Sequence, residues 1–368
     1  MVAVGSGEFM TGVSGEYQST MRLAADSPAS SSPSLSSQAS VSHVLAAGRP
    51  DPAAHADAGG RVEVLDAPHR AGLAAGGRFA IGPYRQLETR LEHKDGILWY
   101  HLRPEGVPSF TRGLLRDIAD MQRAIMRVFD DCDPDSKAPF RHLVLASRLP
   151  GIFNMGGDLG FFADRIRSRD RAALADYARA CIEVVYTNAI ALDLPIVTIA
   201  LVQGDALGGG FEAALSCNVI VAEKSAKLGL PETLFNLFPG MGAYSLLARK
   251  LDPRRAERMV LSGRIYSAGE LHEMGVVDVL AEDGQGEEAV RQYIAQNARH
   301  HGVHRALAAV RRRLSPLTFA ELEDVIEIWV ETAFQLPEPD LRKMERLKNA
   351  QVRRLQGRAN GAAHPAAR

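Results

Sequence analysis

The sequence predicts an α/β protein assembled from parallel β-α units, and three observations carry that expectation. Two short apolar runs, His142–Ser147 and Ile196–Val202, have the length of buried strands. Each leads into a glycine-rich turn, Gly156-Gly157-Asp158 after the first and Gly208-Gly209-Gly210 after the second. Each turn then opens a segment with helical spacing. Strands read as continuous apolar runs when helices cover both faces of a parallel sheet.

Taken in order, residues 1–78 stand apart as a low-complexity arm. Ser27–Ser42 is mostly Ser, Ala and Pro, and Ala46–Gly60 is mostly Ala, Gly, Asp and Pro. Such a composition buries too little apolar surface to offset its ordering entropy, so disorder is expected. Met1–Thr20 lacks the feature order of a secretory signal, and its acidic residues count against a mitochondrial presequence. Residues 79–300 are expected to form the core domain. Leu87–Glu92 and Ile97–Leu102 flank Lys94-Asp95-Gly96, and Asp-Gly between extended runs predicts a hairpin. Leu114, Leu115, Ile118, Met121, Ile125 and Val128 recur at helical spacing between Thr111 and Phe129. A long helix is expected over Arg171–Ala191, closed by Pro195, and Val219–Ala222 reads as a third buried strand.

From Ala256 onward the pattern reads as mostly helical, including Phe319–Phe334 and Asp340–Leu355. These helices are too polar for a core of their own. Residues 301–358 are therefore assigned to covering the site or to contacts between subunits. Phe319, Leu322, Val325, Ile326, Trp329 and Val330 form an apolar stripe that is expected to serve self-association. Residues 359–368 are read as a disordered tail.

Composition excludes several function classes. The 368 residues hold 43 Lys and Arg against 44 Asp and Glu, a formal net charge of −1. That balance lacks the basic footprint of a protein built to hold nucleic acid. The longest apolar run, Pro195–Val202, falls far short of the roughly 20 residues that span a bilayer. Cys132, Cys181 and Cys217 show no pairwise or metal-like spacing, which reads as a cytoplasmic protein without a disulfide framework. His300, His301 and His304 lack neighbouring carboxylates or cysteines in a metal-binding pattern, so no metal is expected. His142 reads as a packed strand histidine and Cys217 as an inert buried thiol.

Three places carry chemistry. At each glycine turn, backbone N–H groups at a helix start are free of intrahelical partners and can approach a ligand oxygen closely. Two converging turns would make an oxyanion hole; glycines serving only tight packing are the alternative. Gly208–Ser216 lacks both the Lys-Ser/Thr ending of a phosphate loop and the spacing of a dinucleotide site. Glu212 lies two residues beyond the triple glycine, and Glu232 follows Leu228-Gly229-Leu230-Pro231. A carboxyl in apolar company has a raised pKa and suits general acid–base work. A helix cap at Glu212 and a solvated loop at Glu232 are the alternative.

At this point the motifs resemble a family. Gly156-Gly157-Asp158, Gly204–Glu212, Gly229-Leu230-Pro231-Glu232 and Phe238-Pro239-Gly240-Met241-Gly242 are similar, in order, to the crotonase (enoyl-CoA hydratase/isomerase) superfamily. The resemblance covers roughly Tyr84 to Leu355. It implies the ClpP/crotonase-like fold of repeated β-β-α turns, trimers or hexamers, and acyl-thioester substrates. It also implies oxyanion-hole amides at Gly157 and Gly209 and hydratase carboxylates at Glu212 and Glu232. No cofactor is implied beyond the CoA or acyl carrier protein that bears the acyl group.

A closer likeness is to bacterial diffusible signal factor synthases. It rests on Asn154-Met155-Gly156-Gly157-Asp158-Leu159, on Gly208–Leu215 with Phe211, on Leu234–Ser245, and on Met344–Leu347 with Val352–Leu355 in the tail. That likeness implies dehydration of a 3-hydroxyacyl carrier-protein thioester, then hydrolysis to a free cis-2-unsaturated acid for quorum sensing. It implies acyl carrier protein as a partner, which Arg311-Arg312-Arg313 could meet if it is not simply a solvated face, and a sensor kinase. Asn154, Met155 and Gly156 are expected to touch substrate, with Leu234, Leu237, Phe238 and Met241 lining an acyl channel. A plain enoyl-CoA hydratase and a non-catalytic binding protein on the same fold are the competing readings.

Overall fold

The computed structural model describes residues 81–132 and 138–362, with side chains to 356, and the short paired strands β1 (Leu73–Ala74) and β2 (Arg78–Phe79). The rest of the expected arm, and residues 363–368 of the expected tail, lie outside the described residues.

Asp95-Gly96 closes the predicted hairpin. Gly96 takes φ +64°, its N–H donates to Glu92 O at 2.9 Å, and β3 (Leu87–Glu92) pairs antiparallel with β4 (Ile97–Leu102). Thr111 then caps α1 (Arg112–Asp130) by accepting from the Leu114 N–H, and α1 buries Leu114, Leu115, Ile118, Met121 and Ile125.

Repeated β-β turns follow. β5 (His142–Ser147) and β6 (Ile152–Asn154) lead into α2 (Leu159–Arg167) and α3 (Arg171–Ala189). β7 (Val197–Val202) and β8 (Asp205–Leu207) lead into α4 (Gly209–Leu215). β9 (Val219–Glu223) and β10 (Lys227–Gly229) lead into a 3-10 turn, Pro231–Phe235, then α5 (Ala243–Lys250) and α6 (Pro253–Ser262). The chain continues through β11 (Ile265–Ser267), α7 (Ala268–Glu273), β12 (Val279–Ala281) and α8 (Gly286–Gln296). It ends in α9 (His301–Leu314), α10 (Phe319–Phe334) and α11 (Glu338–Ala362).

The first strand of each turn enters a six-stranded sheet, ordered β12-β9-β7-β5-β4-β3 and parallel except for β3. The second strand enters a four-stranded sheet, ordered β11-β10-β8-β6. The central strands of the large sheet, β4, β5, β7 and β9, are buried on both faces, which is why they lack polar alternation. Leu98, Tyr100 and Leu102 of β4 face the main core, whereas Ile97 and Trp99 face a second cluster closed by Val290 and Ile294 of α8.

The region after Ala256 is mostly helical, as expected, with the short strands β11 and β12 completing the two sheet edges. Two expectations are corrected. The α10 stripe is consumed inside the chain: Leu322, Ile326, Trp329 and Val330 are buried, and α10 packs along α3 with Phe319 against Tyr186 at 5.6 Å. Finally, α11 runs to Ala362, into the stretch expected as a disordered tail.

Candidate active site

The site begins with strand pairing. β6 and β8 lie parallel and adjacent, with Asn154 opposite Ala206, so the turns that follow them emerge side by side. Contact between the turns demands glycine at Gly156, which takes φ +93°; a Cβ there would sit 2.9 Å from Leu207 O and 3.0 Å from Gly209 N. Gly208 takes φ +52°, and a Cβ there would collide with Glu232 Oε1. In the first turn, the Met155 N–H donates to Pro108 O at 2.7 Å, and the Gly156 N–H to Asn154 Oδ1 at 2.8 Å. The Asp158 N–H donates to Tyr177 Oη at 3.1 Å. Among the described residues, these bonds commit every amide of the turn except that of Gly157. Gly209 is the first residue of α4, so its N–H lies outside the helical ladder.

The carboxyls come from the next two elements. Glu212 lies in the first turn of α4, is 1% exposed, and accepts on Oε1 from the Met241 N–H at 2.8 Å and the Ala243 N–H at 2.9 Å. Burial pushes its pKa up to about 7, against the pull of those two amides. Glu232 lies in the 3-10 turn, partly buried as a residue, but its Oε2 is fully buried and, among the described residues, has no hydrogen-bond partner. Burial first, and the neighbouring Glu212 charge second, hold its pKa well above the usual carboxylate range. The pair therefore tends to share one proton, held on Glu232, with the charge on Glu212. Neither the helix-cap reading of Glu212 nor the solvated-loop reading of Glu232 fits this geometry.

Both carboxyls and both candidate amides line one cavity of about 240 Å³. The structure brings Gly157, Gly209, Glu212, Glu232, Met155, Gly156, Leu237 and Met241 to its wall, with Leu234, 55% exposed, as a partly exposed member. It does not bring Asn154 or Phe238 there. Asn154 is fully buried beneath the turn with its Oδ1 on the Gly156 N–H, and Phe238 packs against the main core.

Several wall residues escape sequence reasoning. Tyr177 and Cys181 arrive from α3, Trp329 from α10, and Leu347, Gln351 and Arg354 from α11. Gln351 Nε2 donates to Met155 O at 3.3 Å, and Arg354 pairs with the buried Asp205. Two sequence signals touch these helices: the apolar stripe containing Trp329, which reads as a subunit contact, and the Met344–Leu347 and Val352–Leu355 segments of the family likeness, which contain Leu347 and Arg354 without placing them at the cavity. Among the described residues, no group of three or more His, Cys, Asp or Glu side chains could hold a metal.

A family model described as enoyl-CoA hydratase/isomerase matches residues 103–333. The chain belongs to the enoyl-CoA hydratase/isomerase family. Its match to the mitochondrial methylglutaconyl-CoA hydratase of Rattus norvegicus is 32% identical over 241 residues, covering 63% of this chain and 73% of that protein. Its fold is similar to the crystal structure of enoyl-CoA hydratase from Bacillus halodurans, with TM-score 0.58, 21% identity, and 71% and 98% of the two chains covered. It is also similar to Pseudomonas aeruginosa DspI, with TM-score 0.54, 24% identity, and coverage of 69% and 98%. The family's fold is the crotonase fold that the motifs implied.

Proposed function

We propose that this family member dehydrates a 3-hydroxyacyl thioester to a cis-2-enoyl thioester and then hydrolyses it, releasing a free cis-2-unsaturated fatty acid. One observation carries the reading. Part of each segment on which the likeness to diffusible signal factor synthases rests lies on the cavity wall, although Asn154 and Phe238 do not: Met155 and Gly156 in the first turn, Gly208, Gly209 and Glu212 in the second, Leu237, Gly240 and Met241 beyond Glu232, and Leu347 in α11. Differences in chemistry within one fold belong at such a wall.

In the first step a carboxylate takes the Cα proton, and the Gly157 and Gly209 N–H groups hold the enolate oxygen. The protonated carboxyl of the pair gives its proton to the departing hydroxyl, so water leaves and the C2=C3 double bond forms. In the second step water adds to the thioester carbonyl, the C–S bond breaks, and the acid and the carrier thiol are released. The apolar wall suits an acyl chain, carried on acyl carrier protein or CoA. The free acid is then available as a signal for a sensor kinase.

A second reading, a hydratase without a hydrolytic step, is favoured by the rat relative's name. The test incubates the protein with 3-hydroxyacyl chains of several lengths on acyl carrier protein and on CoA, and reads products by mass spectrometry. Release of free cis-2-enoic acid is the expected result, lowered at least about 10²-fold in Glu212→Gln and in Glu232→Gln, the scale of acid–base catalysis. Interconversion of hydroxyacyl and enoyl thioesters without free acid would leave the hydratase reading in its place.

A further inference from the structure

We infer that Tyr177 and Asn154 are positioning residues that clamp the Met155–Asp158 turn from two sides, presenting the Gly157 N–H to the thioester oxygen. The inference rests on the oxyanion reading above and adds what holds the oxyanion donor still. Tyr177 stands on α3, remote in sequence from the turn, with 3% of its surface exposed. Its hydroxyl donates to Phe110 O at 2.5 Å and accepts from the Asp158 N–H at 3.1 Å. Phe110 in turn donates its N–H to Gly156 O at 2.8 Å. One phenol thus ties the residue after Gly157 to the same short segment that holds the residue before it.

The ring is fixed independently of these bonds. It packs at 5.3 Å against Phe161 and edge-on at 5.1 Å against Phe162, so the hydroxyl has a defined place from which to hold the turn. Burial keeps the phenol protonated, as a group that both donates and accepts must be. On the other side, Asn154 is fully buried with Oδ1 on the Gly156 N–H, while among the described residues its Nδ2 has no partner. A buried amide with an unmet donor is a poor choice for mere filling, since an apolar side chain would leave nothing unmet. Its accepting oxygen is what the turn uses.

The test uses the full chain and 4-(dimethylamino)cinnamoyl-CoA, a conjugated thioester whose absorption moves to the red when hydrogen bonds polarise its carbonyl. In the wild type the bound probe is expected to shift to the red. Tyr177→Phe and Asn154→Ala are expected to bind it within about 3-fold of wild-type affinity but to lose at least about half of the shift. Their kcat on an acyl-thioester substrate should fall about 10-fold with KM within about 3-fold, the pattern of a lost transition-state interaction. A full shift with unchanged kcat in both variants overturns the clamp and leaves the oxyanion reading standing. A raised KM with shift and kcat intact makes Tyr177 only a cavity wall and also overturns it. A wild type that binds the probe with no shift overturns the oxyanion reading, and the clamp with it. Should one variant fail to fold, the other carries the same test from the opposite side of the turn.

Discussion

Glu212 and Glu232 are the same residue type in one cavity, yet their oxygens meet different partners. Two amides hold a charge on Glu212, whereas the buried Oε2 of Glu232 has none among the described residues. Both carboxyls are pushed up on folding, Glu212 from 4.5 to about 7, so the folded chain retains protons that the unfolded chain has released. The stability this contributes is fully present below the unfolded pKa and is lost as pH rises through about 7. The Tm of the wild type should therefore carry a component that falls between about pH 5 and about pH 8, and Glu212→Gln, neutral throughout, should make the slope shallower. Below about pH 7 the pair also loses its one charge, so kcat/KM should fall on the acid side near that value. Thermal melts and rate profiles across this range check both; identical Tm slopes in wild type and variant would show that Glu212 does not titrate this way.

At the scale of elements, legibility followed how locally each structure is determined. The β3–β4 hairpin, α1 and the strands β5 and β7 each owe their form to a contiguous signal: Asp95-Gly96, the Leu114–Val128 spacing, and two apolar runs. The short strands β11 and β12 offer no period to read, and only sheet edges supplied by distant strands define them. The site divides along the same line. Gly157, Gly209, Glu212 and Glu232 sit on turns whose own residues shape them, while Tyr177, Trp329 and Gln351 reach the cavity only through helix packing. The stripe on α10 shows the limit most plainly, because spacing reveals an apolar face but not what covers it. Here α3 and the cavity cover it, with Trp329 edge-on to Phe162 at 5.2 Å and crowding Gly240. Trp329→Ala should accordingly cost about 3–5 kcal/mol of stability, as large core truncations do, and leave the sedimenting mass unchanged. Denaturant unfolding and sedimentation check this, and a lower mass with unchanged stability would restore the stripe to a subunit contact.

For the whole molecule, moving the α10 stripe inside shifts the question of assembly to α9. No residue of α9 is buried, although its Val303, Leu307, Val310 and Leu314 are apolar and 55%, 55%, 48% and 81% exposed. Their spacing places them along one stripe of the helix. A contiguous apolar stripe left to water is unfavourable in proportion to its area and marks an interaction surface. By contrast, α11 buries Leu341 and Met344 and is tied down by hydrogen bonds from Asn236 to Asp340 at 2.7 Å and from Gln351 to Met155 O. The cavity cover thus comes from α11 of the same chain, and α9 is free to make contacts between copies. Self-association, implied by the family likeness, is therefore expected to run through α9. Leu307→Asp combined with Val310→Asp puts two charges where a second copy would have to bury them, at a cost far beyond what a surface pair recovers. Sedimentation at micromolar concentration should then show an oligomer for the wild type and a smaller species for the double variant, with circular dichroism unchanged. A double variant that keeps the wild-type mass would remove α9 from the interface, and a monomeric wild type would remove the interface itself.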